Sequence, residues 1–333
     1  MEQALFLPPR WLQGGHLQTL TCAMPWFAPA KKHRALSPES RWFHSGNAAA
    51  KTGVLARVWM QEKKAPAVIL IHGVGGSDSS LYVIRAASAF FEAGYHVFRL
   101  NQRGAGDGVE KAAGLYHAGL TEDLDAMIRE LGHDERITSV HVVGFSGGGN
   151  VALKLAGEWG SAAPRHLKGI VSLSAPVDLA RAAANIVRKD ALPYHAHVLR
   201  GLLRGAVNLK RRAPERAPYA WRDLLSIRSL TRFDRKVTVP MHGFDSVEAY
   251  YASASAGPWL SKIAVPTLAI HAEDDPMVPG STVRDALSSA SSHVHVEYTD
   301  HGGHLGWVGG MGESAWTRTW AVGRALRFFE KKA

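Results

Sequence analysis

The sequence predicts an α/β protein, built on a mainly parallel, twisted β-sheet that is covered by helices on both faces. Short apolar runs rich in β-branched residues, such as 67–72 and 140–143, alternate along the chain with longer segments of helical periodicity. The composition fits this class, because 46% of the 333 residues are hydrophobic and only 20% are charged. A chain of this length and composition can bury a large core and still carry an inserted subdomain.

The individual elements can be placed in order from these patterns. An antiparallel hairpin at 42–44 and 54–60 is expected to open the sheet. Further strands are predicted at 67–72, 95–100, 140–143, 170–174, 267–272 and 294–298, and helices at 81–91, 121–131, 151–156, 282–290 and 316–329. Residues 1–38 are predicted to form an irregular N-terminal arm, because prolines interrupt them at five positions, Pro8, Pro9, Pro25, Pro29 and Pro38.

A serine lies at the junction between the strand at 140–143 and the helix that follows it. The motif G-F-S-G-G places Ser146 between Gly144 and Gly148, whose small size lets strand and helix pass closely at a sharp turn. In this geometry the serine hydroxyl stands clear of the sheet, and the backbone N–H of Gly147 points to where an oxyanion would form. The alternative is a glycine-rich phosphate loop, but no Lys-Ser/Thr pair follows.

Three other loops that follow predicted strands carry residues suited to the same chemistry. The first, H-G-V-G-G-S, begins at His72 and offers the N–H of Val74 as a second oxyanion donor, although it could be an ordinary glycine-rich turn. The second, E-D-D-P-M-V-P, follows the strand at 267–272, and the third, T-D-H-G-G-H-L-G-W, follows the strand at 294–298. A serine, an acid and a histidine therefore occur in the chain order of a nucleophilic triad.

Two residues compete for each of the last two triad positions. Asp275 is preferred over Asp274 as the acid, because it lies at the tip of its turn whereas Asp274 lies one step closer to the strand. His304 is preferred over His301 as the base, because two glycines precede it on a loop that can swing back over the serine. The H-A-E-D-D stretch raises a metal site as an alternative, but no H-E-x-x-H, H-x-H or Cys-rich ligand set accompanies it.

Together these motifs resemble the α/β-hydrolase fold family, and more narrowly its bacterial YheT-like branch, which is related to eukaryotic abhydrolase-domain esterases. The resemblance continues over nearly the whole chain, through G-G-H-L-Q-T-L near 14–20, N-Q-R-G-A-G near 101–106, Y-H-A-G-L-T-E-D near 116–123, L-S-A-P-V-D near 173–178, F-D at 233–234 and H-G-F-D-S-V-E-A-Y-Y near 242–251. It implies Ser146 as nucleophile, Asp275 as acid and His304 as base. The chain departs from the pattern at Gly147, where a larger residue is common.

The same resemblance implies that residues 177–258 form a helical lid over the serine, between core segments 39–176 and 259–333. Residues 181–236 include 14 basic and 4 acidic residues, an excess equal to the net charge of +10 of the whole chain. This excess favours contact with anionic lipid or anionic esters, and an exposed basic helical face is an equal alternative. The apolar residues of the segment suit either an acyl pocket or a core of its own: Leu192, Val198, Leu199, Leu202, Leu203, Val207 and Leu209.

The predicted function is that of a serine carboxylesterase without cofactor or metal, acting on small-molecule esters of short- to medium-chain acids. The alternatives are acyl transfer to an alcohol and ligand binding without turnover. Nucleic acid is not an expected partner, because no nucleic-acid-binding motif accompanies the basic residues. The first ten residues lack a secretory signal, and no apolar run approaches the roughly 18 residues of a membrane span. With a single cysteine, Cys22, the sequence favours a cytoplasmic setting, with peripheral contact at the inner membrane face.

Overall fold

One eight-stranded sheet organises the computed structural model, which describes residues 6–24, 38–44, 52–309 and 320–331. The strand order is β1-β2-β4-β3-β5-β6-β7-β8. The first two pairs in this order are antiparallel and all the others are parallel. The strands are β1 (Glu39–Phe43), β2 (Val54–Trp59), β3 (Ala65–Ile71), β4 (His96–Leu100), β5 (Ile137–Phe145), β6 (Leu167–Leu173), β7 (Thr267–Ala272) and β8 (Val294–Thr299).

Helices cover both faces of this sheet. Alternate residues of a strand point to opposite faces, so Ile69 of β3 packs in a cluster with residues of the helices at 122–131 and 147–159. Leu70 packs in a second cluster with residues of the helices at 81–92 and 320–330. The predicted fold class is confirmed. The helices outside the insertion are α1 (Gly15–Cys22), α2 (Leu81–Glu92), α3 (Glu122–Leu131), α4 (Gly147–Trp159), α11 (Gly280–Ser288) and α12 (Trp320–Glu330).

The chain between β6 and β7 folds into a helical insertion. Its helices are α5 (Leu179–Asn185), α6 (Leu192–Arg212), α7 (Trp221–Ser226), α8 (Leu230–Phe233), α9 (Val239–His242) and α10 (Val247–Ala254). A π-helical turn, Asp234–Thr238, connects α8 to α9. Leu199, Leu209 and Phe233 of the insertion are buried in one apolar cluster, which also includes Val109 and Leu115 of the sheet domain.

Asn150 of α4 connects the sheet domain to the end of this insertion. Its fully buried side chain donates hydrogen bonds to the carbonyl oxygens of Ala118 and Ala254, both at 2.8 Å. It also accepts one from the N–H of Ala256 at 2.9 Å. The helix that follows the serine therefore fixes the point where the insertion returns to the sheet.

The N-terminal segment differs from its prediction. An irregular arm was expected, yet Gly15–Cys22 is helical, because eight residues fit between Pro9 and Pro25 and the prolines limit the length of a helix without preventing one. Much of the predicted arm, including Pro25 and Pro29, lies outside the described residues, as does the start of the predicted helix at 316–329. No helix in the described ranges has the length and apolar character needed to cross a membrane.

Candidate active site

Ser146 lies on a tight turn between β5 and α4, with backbone angles of φ 51° and ψ −121°. Such a positive φ is unfavourable for a residue with a side chain. The surrounding backbone holds it, since the Ser146 N–H donates to the Leu173 carbonyl at 2.8 Å and the Ser146 carbonyl accepts from Gly149 N–H at 2.8 Å. A Cβ at Gly144 or at Gly148 would overlap neighbouring backbone atoms, which is why the turn needs both glycines.

The loop after β3 leaves one amide free beside this turn. The N–H of Gly73 donates to the Tyr82 hydroxyl at 2.9 Å, and the N–H of Gly75 donates to the Tyr116 hydroxyl at 2.7 Å. Within the described part of the chain, the N–H groups of Val74 and Gly147 have no hydrogen-bond partner. A Cβ on Gly147 would lie 3.4 Å from Val74 N, so the two unpaired amides are neighbours. This is the arrangement that an oxyanion hole requires.

Tyr82 and Tyr116 were not assigned a role from the sequence. Burial raises the pKa of both hydroxyls, so each stays protonated while its oxygen accepts a loop amide. Tyr116 belongs to the Y-H-A-G-L-T-E-D segment, which carried the family resemblance without indicating this contact. The two tyrosines hold the loop so that the amide between their partners remains unpaired.

Asp275 and His304 form a buried pair. The distance between His304 Nδ1 and Asp275 Oδ2 is 2.7 Å, and the other carboxylate oxygen accepts the N–H groups of Met277 and Val278 at 2.8 and 2.9 Å. Burial would raise the pKa of Asp275, but the charge of His304 and these hydrogen bonds hold it below its ordinary value. Because Nδ1 faces the carboxylate, Nε2 is the ring atom left to exchange a proton with a substrate or nucleophile.

Asp274 takes a different partner. Its Oδ2 lies 3.3 Å from His301 Nδ1, and its Oδ1 accepts the N–H of Gly303 at 2.8 Å. The structure therefore brings the preferred acid to the preferred histidine, and it brings the rejected acid to the rejected histidine. Asp274 supports the backbone of the loop that carries His304.

Helix α1 supports the same loop from the other side. The Thr19 hydroxyl accepts the backbone N–H of His304 at 2.8 Å. The buried side chain of Gln18 donates to the Leu12 and Val308 carbonyls and accepts the Val308 N–H at 2.7 Å. Sequence analysis missed these contacts, because G-G-H-L-Q-T-L was placed in an irregular arm. Cys22 is buried in this helix with a raised pKa caused by burial, as expected of a thiol that is not a nucleophile.

A cavity of about 660 Å³ contains Ser146, His304 and Val74 in its wall. The remaining wall is mainly apolar and comes from both the sheet domain and the insertion, with Leu20, Leu179, Ile186, Val198, Leu202, Leu230, Phe233, Val278 and Leu305. The apolar residues singled out in the insertion divide between the wall of this cavity and the buried cluster. Val198 and Leu202 reach the cavity, while Leu199 and Leu209 belong to the buried cluster.

The alternative of a metal site gains no support from side-chain positions. In the described ranges, no group of three or more histidine, cysteine, aspartate or glutamate side chains is arranged to hold a metal ion. His271, the histidine of H-A-E-D-D, instead contacts the Val278 carbonyl at 2.7 Å, and burial lowers its pKa. It lies in β7 as a neutral, structural residue beside the acid loop.

Comparison with known families decides the classification. A family model described as "alpha/beta hydrolase fold" matches residues 66–308. The chain belongs to the α/β-hydrolase fold family. One relative is YheT of Escherichia coli (strain K12), whose esterase activity is itself a proposal. It is 30% identical to this chain over 250 residues, which cover 75% of this chain and 73% of YheT. The predicted YheT-like family is confirmed, and the chain is a hydrolase.

Two further relatives extend the comparison. The monoacylglycerol lipase of Saccharomyces cerevisiae is 28% identical to this hydrolase over 250 residues, which are 73% of this chain but only 55% of the lipase. Among solved structures, the Pyrococcus furiosus esterase Pf2001 has a TM-score of 0.58 and 17% identity, with 91% of this chain and 94% of that one covered. At this identity the likeness bears on the fold alone. The sequence relatives place this hydrolase with the esterase and lipase type.

Proposed function

We propose that this hydrolase is a serine carboxylesterase, which cleaves esters of short- to medium-chain acids through an acyl-enzyme intermediate. The observation that carries the proposal is the 2.7 Å contact between His304 and Asp275, buried at a cavity that also contains Ser146 and the unpaired N–H of Val74. A nucleophile, a base oriented by an acid, and oxyanion donors are the groups that acyl transfer requires.

The chemistry follows from these positions. Ser146 Oγ attacks the carbonyl carbon of the ester while His304 Nε2 takes its proton, and Asp275 stabilises the resulting imidazolium. The N–H groups of Val74 and Gly147 bind the oxyanion of the tetrahedral intermediate. The intermediate collapses, the leaving alcohol takes the proton from His304, and the acyl group stays on Ser146. Water then attacks this acyl ester in the same way, which releases the acid and restores the serine.

The helical insertion is the proposed lid, with boundaries at 177–258. Its residues Leu179, Ile186, Val198 and Leu202 form part of the cavity wall. In this position the insertion would exclude water from the acyl-enzyme and set the space available to the acyl chain.

A fluorophosphonate probe tests the class of function directly. Rapid labelling that Ser146→Ala abolishes, together with steady hydrolysis of p-nitrophenyl butanoate, is expected for the esterase. Formation of a new ester when a short alcohol is added would instead identify an acyltransferase, and absence of labelling would leave a ligand-binding protein. Activity should be unchanged in EDTA, whereas inhibition that added metal reverses would contradict a mechanism without metal.

We propose in addition that α6 contacts anionic lipid, at the inner membrane face if the protein is cytoplasmic. Arg200, Arg204 and Arg211 are exposed on this helix, and none of them has an acidic partner among the described residues. Lys210, in contrast, donates to the Ala217 carbonyl at 3.0 Å and lies over the Tyr219 ring. These three arginines are therefore available to an anionic surface, near which each is worth on the order of 1 kcal/mol.

Vesicle binding tests this contact. The protein should bind phosphatidylserine-containing vesicles more tightly than neutral ones at low salt, and the triple change Arg200→Ser, Arg204→Ser, Arg211→Ser should remove the preference. A matched triple change of exposed residues of the sheet domain, Lys63→Ser, Lys64→Ser and Arg165→Ser, should preserve it. Equal binding to both vesicle types, or equal losses in the two variants, would contradict a specific role for α6.

A further inference from the structure

The wall of the cavity contains a carboxyl group that the proposed mechanism does not use. Asp234 begins the π-helical turn of the insertion and lines the same cavity as Ser146. Its Oδ1 accepts the Thr238 hydroxyl at 2.9 Å, and its Oδ2 accepts the Tyr251 hydroxyl at 2.8 Å. Each carboxylate oxygen can accept about two hydrogen bonds, so each has capacity for one more donor.

No cation of the described chain neutralises this group. The next residues, Arg235 and Lys236, are exposed, and Lys236 pairs with Asp223 at 3.2 Å. The cavity residues closest to Asp234 in the sequence are the apolar Leu230 and Phe233 and the uncharged Thr238. Burial raises the pKa of Asp234 to about 6, although the hydrogen bonds from Tyr251 and Thr238 oppose the shift. A carboxylate that lines a mainly apolar cavity without a cation gains most from a donor that enters with the ligand.

We propose that Asp234 binds a hydrogen-bond donor on the substrate, either a hydroxyl or a primary ammonium group, at a distance from the ester that is cleaved. The inference rests on the proposed esterase function and specifies its substrate class. Asp234 belongs to the insertion and Ser146 to the sheet domain, and both line one cavity of about 660 Å³, so a substrate that fills this cavity contacts both. The hydrolase is then selective for esters with a polar end, in a pocket whose other walls are mainly apolar.

Tyr251 acts on the substrate through Asp234 and is a positioning residue. Its hydroxyl occupies one lone pair of Oδ2 and fixes the direction of the carboxylate, while Thr238 does the same for Oδ1. Both partners belong to the insertion, so a purely structural Asp234 would stabilise the insertion and affect all substrates alike. Asparagine at position 234 keeps an oxygen acceptor of similar size but removes the charge. Asp234→Asn therefore separates the two roles.

Two series of three esters supply the test, and the three esters of each series are of equal length. The p-nitrophenyl esters of heptanoic, 6-hydroxyhexanoic and 6-ammoniohexanoic acid differ only in the terminal methyl, hydroxyl or ammonium group. The corresponding butanoate esters of 1-heptanol, 1,6-hexanediol and 6-aminohexan-1-ol place the same groups on the alcohol side. Asp234→Asn should lower kcat/KM about tenfold or more for the hydroxyl or ammonium ester of one series, and less than about twofold for its methyl ester.

Two further variants complete the design. Tyr251→Phe should reduce the same preference by a smaller factor. Asp190→Asn, which removes an exposed carboxylate that pairs with Arg188 in the same insertion, should leave it unchanged. An equal effect of Asp234→Asn on all three esters, or a wild-type protein without preference for a polar end in either series, would overturn the proposal.

The measurements also separate this proposal from the esterase function. Hydrolysis of the methyl-terminated esters by the wild-type protein tests the esterase function by itself. If no ester is hydrolysed, that function fails, and calorimetric titration with the six matching amides still measures whether Asp234→Asn weakens binding of polar ends selectively. Thermal unfolding of each variant, followed by circular dichroism, identifies any loss that comes from misfolding.

Discussion

Two neighbouring aspartates on one loop each face a histidine on the next loop, and the two pairs differ in distance and burial. Asp275 and His304 are 2.7 Å apart, and their side chains are 0% and 6% exposed. Asp274 and His301 are 3.3 Å apart, with side chains that are 22% and 38% exposed. The residue types are identical, so only their surroundings distinguish the two pairs.

The difference favours the buried pair for the proposed chemistry. Away from water, the Asp275 carboxylate is held by two backbone amides and acts strongly on the histidine beside it. The attraction between Asp274 and His301 is screened by solvent, as in an ordinary surface ion pair. The buried pair is therefore expected to control activity, and the exposed pair to contribute mainly to the shape of the loop.

The largest expected effect comes from changes of Ser146 and His304. Ser146→Ala and His304→Ala should each reduce kcat/KM for a p-nitrophenyl ester by about 10⁴-fold or more, because each removes a group that changes its bonding in the transition state. His301→Ala is the matched change in the exposed pair and should cost less than about tenfold. A loss of similar size in His301→Ala would reverse the assignment of the base.

Changes of the two aspartates should differ almost as widely in their effect on kcat. Asp275→Asn should lower kcat by about 10⁴-fold, since an amide at this position favours the wrong tautomer of His304. Asp274→Asn keeps an oxygen that can accept the Gly303 N–H, and it should cost less than about tenfold. Steady-state kinetics of both variants decide the point, and equal losses would show that burial does not distinguish the pairs.

A smaller effect is expected where α1 touches the buried pair. Thr19→Val removes the oxygen that accepts the His304 N–H, so the histidine loop should shift and kcat should fall roughly tenfold with little change in KM. Thr19→Ser retains the hydroxyl and should restore kcat. If Thr19→Ser is as slow as Thr19→Val, the contact matters for packing and not for placing His304.

The smallest effect concerns a histidine without a carboxylate partner. Burial lowers the pKa of His141 to about 4, below the value near 6.5 of the unfolded chain, so the unfolded state binds the proton more readily between these values. Stability should fall as the pH drops from 6.5 towards 4, by up to about 3 kcal/mol from this residue. In denaturant unfolding, His141→Leu should flatten this dependence, whereas His133→Leu, at an exposed site, should not.

Much of the fold could be predicted because its signals are local. The strand at 267–272 was placed correctly from an apolar run, and the loop after it could be searched for an acid because parallel strands end at one edge of the sheet. Asp275 was preferred over Asp274 from its position in the turn, and the geometry agrees with that preference. These inferences needed only neighbouring residues and the general rules of α/β sheets.

The rest of the site depends on contacts between distant parts of the chain. The Tyr116 hydroxyl accepts the N–H of Gly75, from which it is 41 positions away in the sequence. The Thr19 hydroxyl accepts the N–H of His304, which is 285 positions away. No periodicity in the sequence indicates such hydrogen bonds. Asp234 likewise becomes part of a cavity wall only when the insertion packs on the sheet domain, so its F-D motif carried no chemical signal by itself.

The close approach of Val74 to Gly147 limits which residues either position can accept. A Cβ on Gly147 would approach Val74 Cγ2 to 2.6 Å, so the valine occupies the space that a larger residue after the serine would need. A bulkier residue at either position alone would displace an amide that the proposed reaction uses. In evolving lineages the two sites should therefore covary, a bulkier residue at one accompanying a slimmer or reoriented residue at the other. A directed-evolution library that randomises position 147 should include position 74 as well, since the productive combinations lie in the pair.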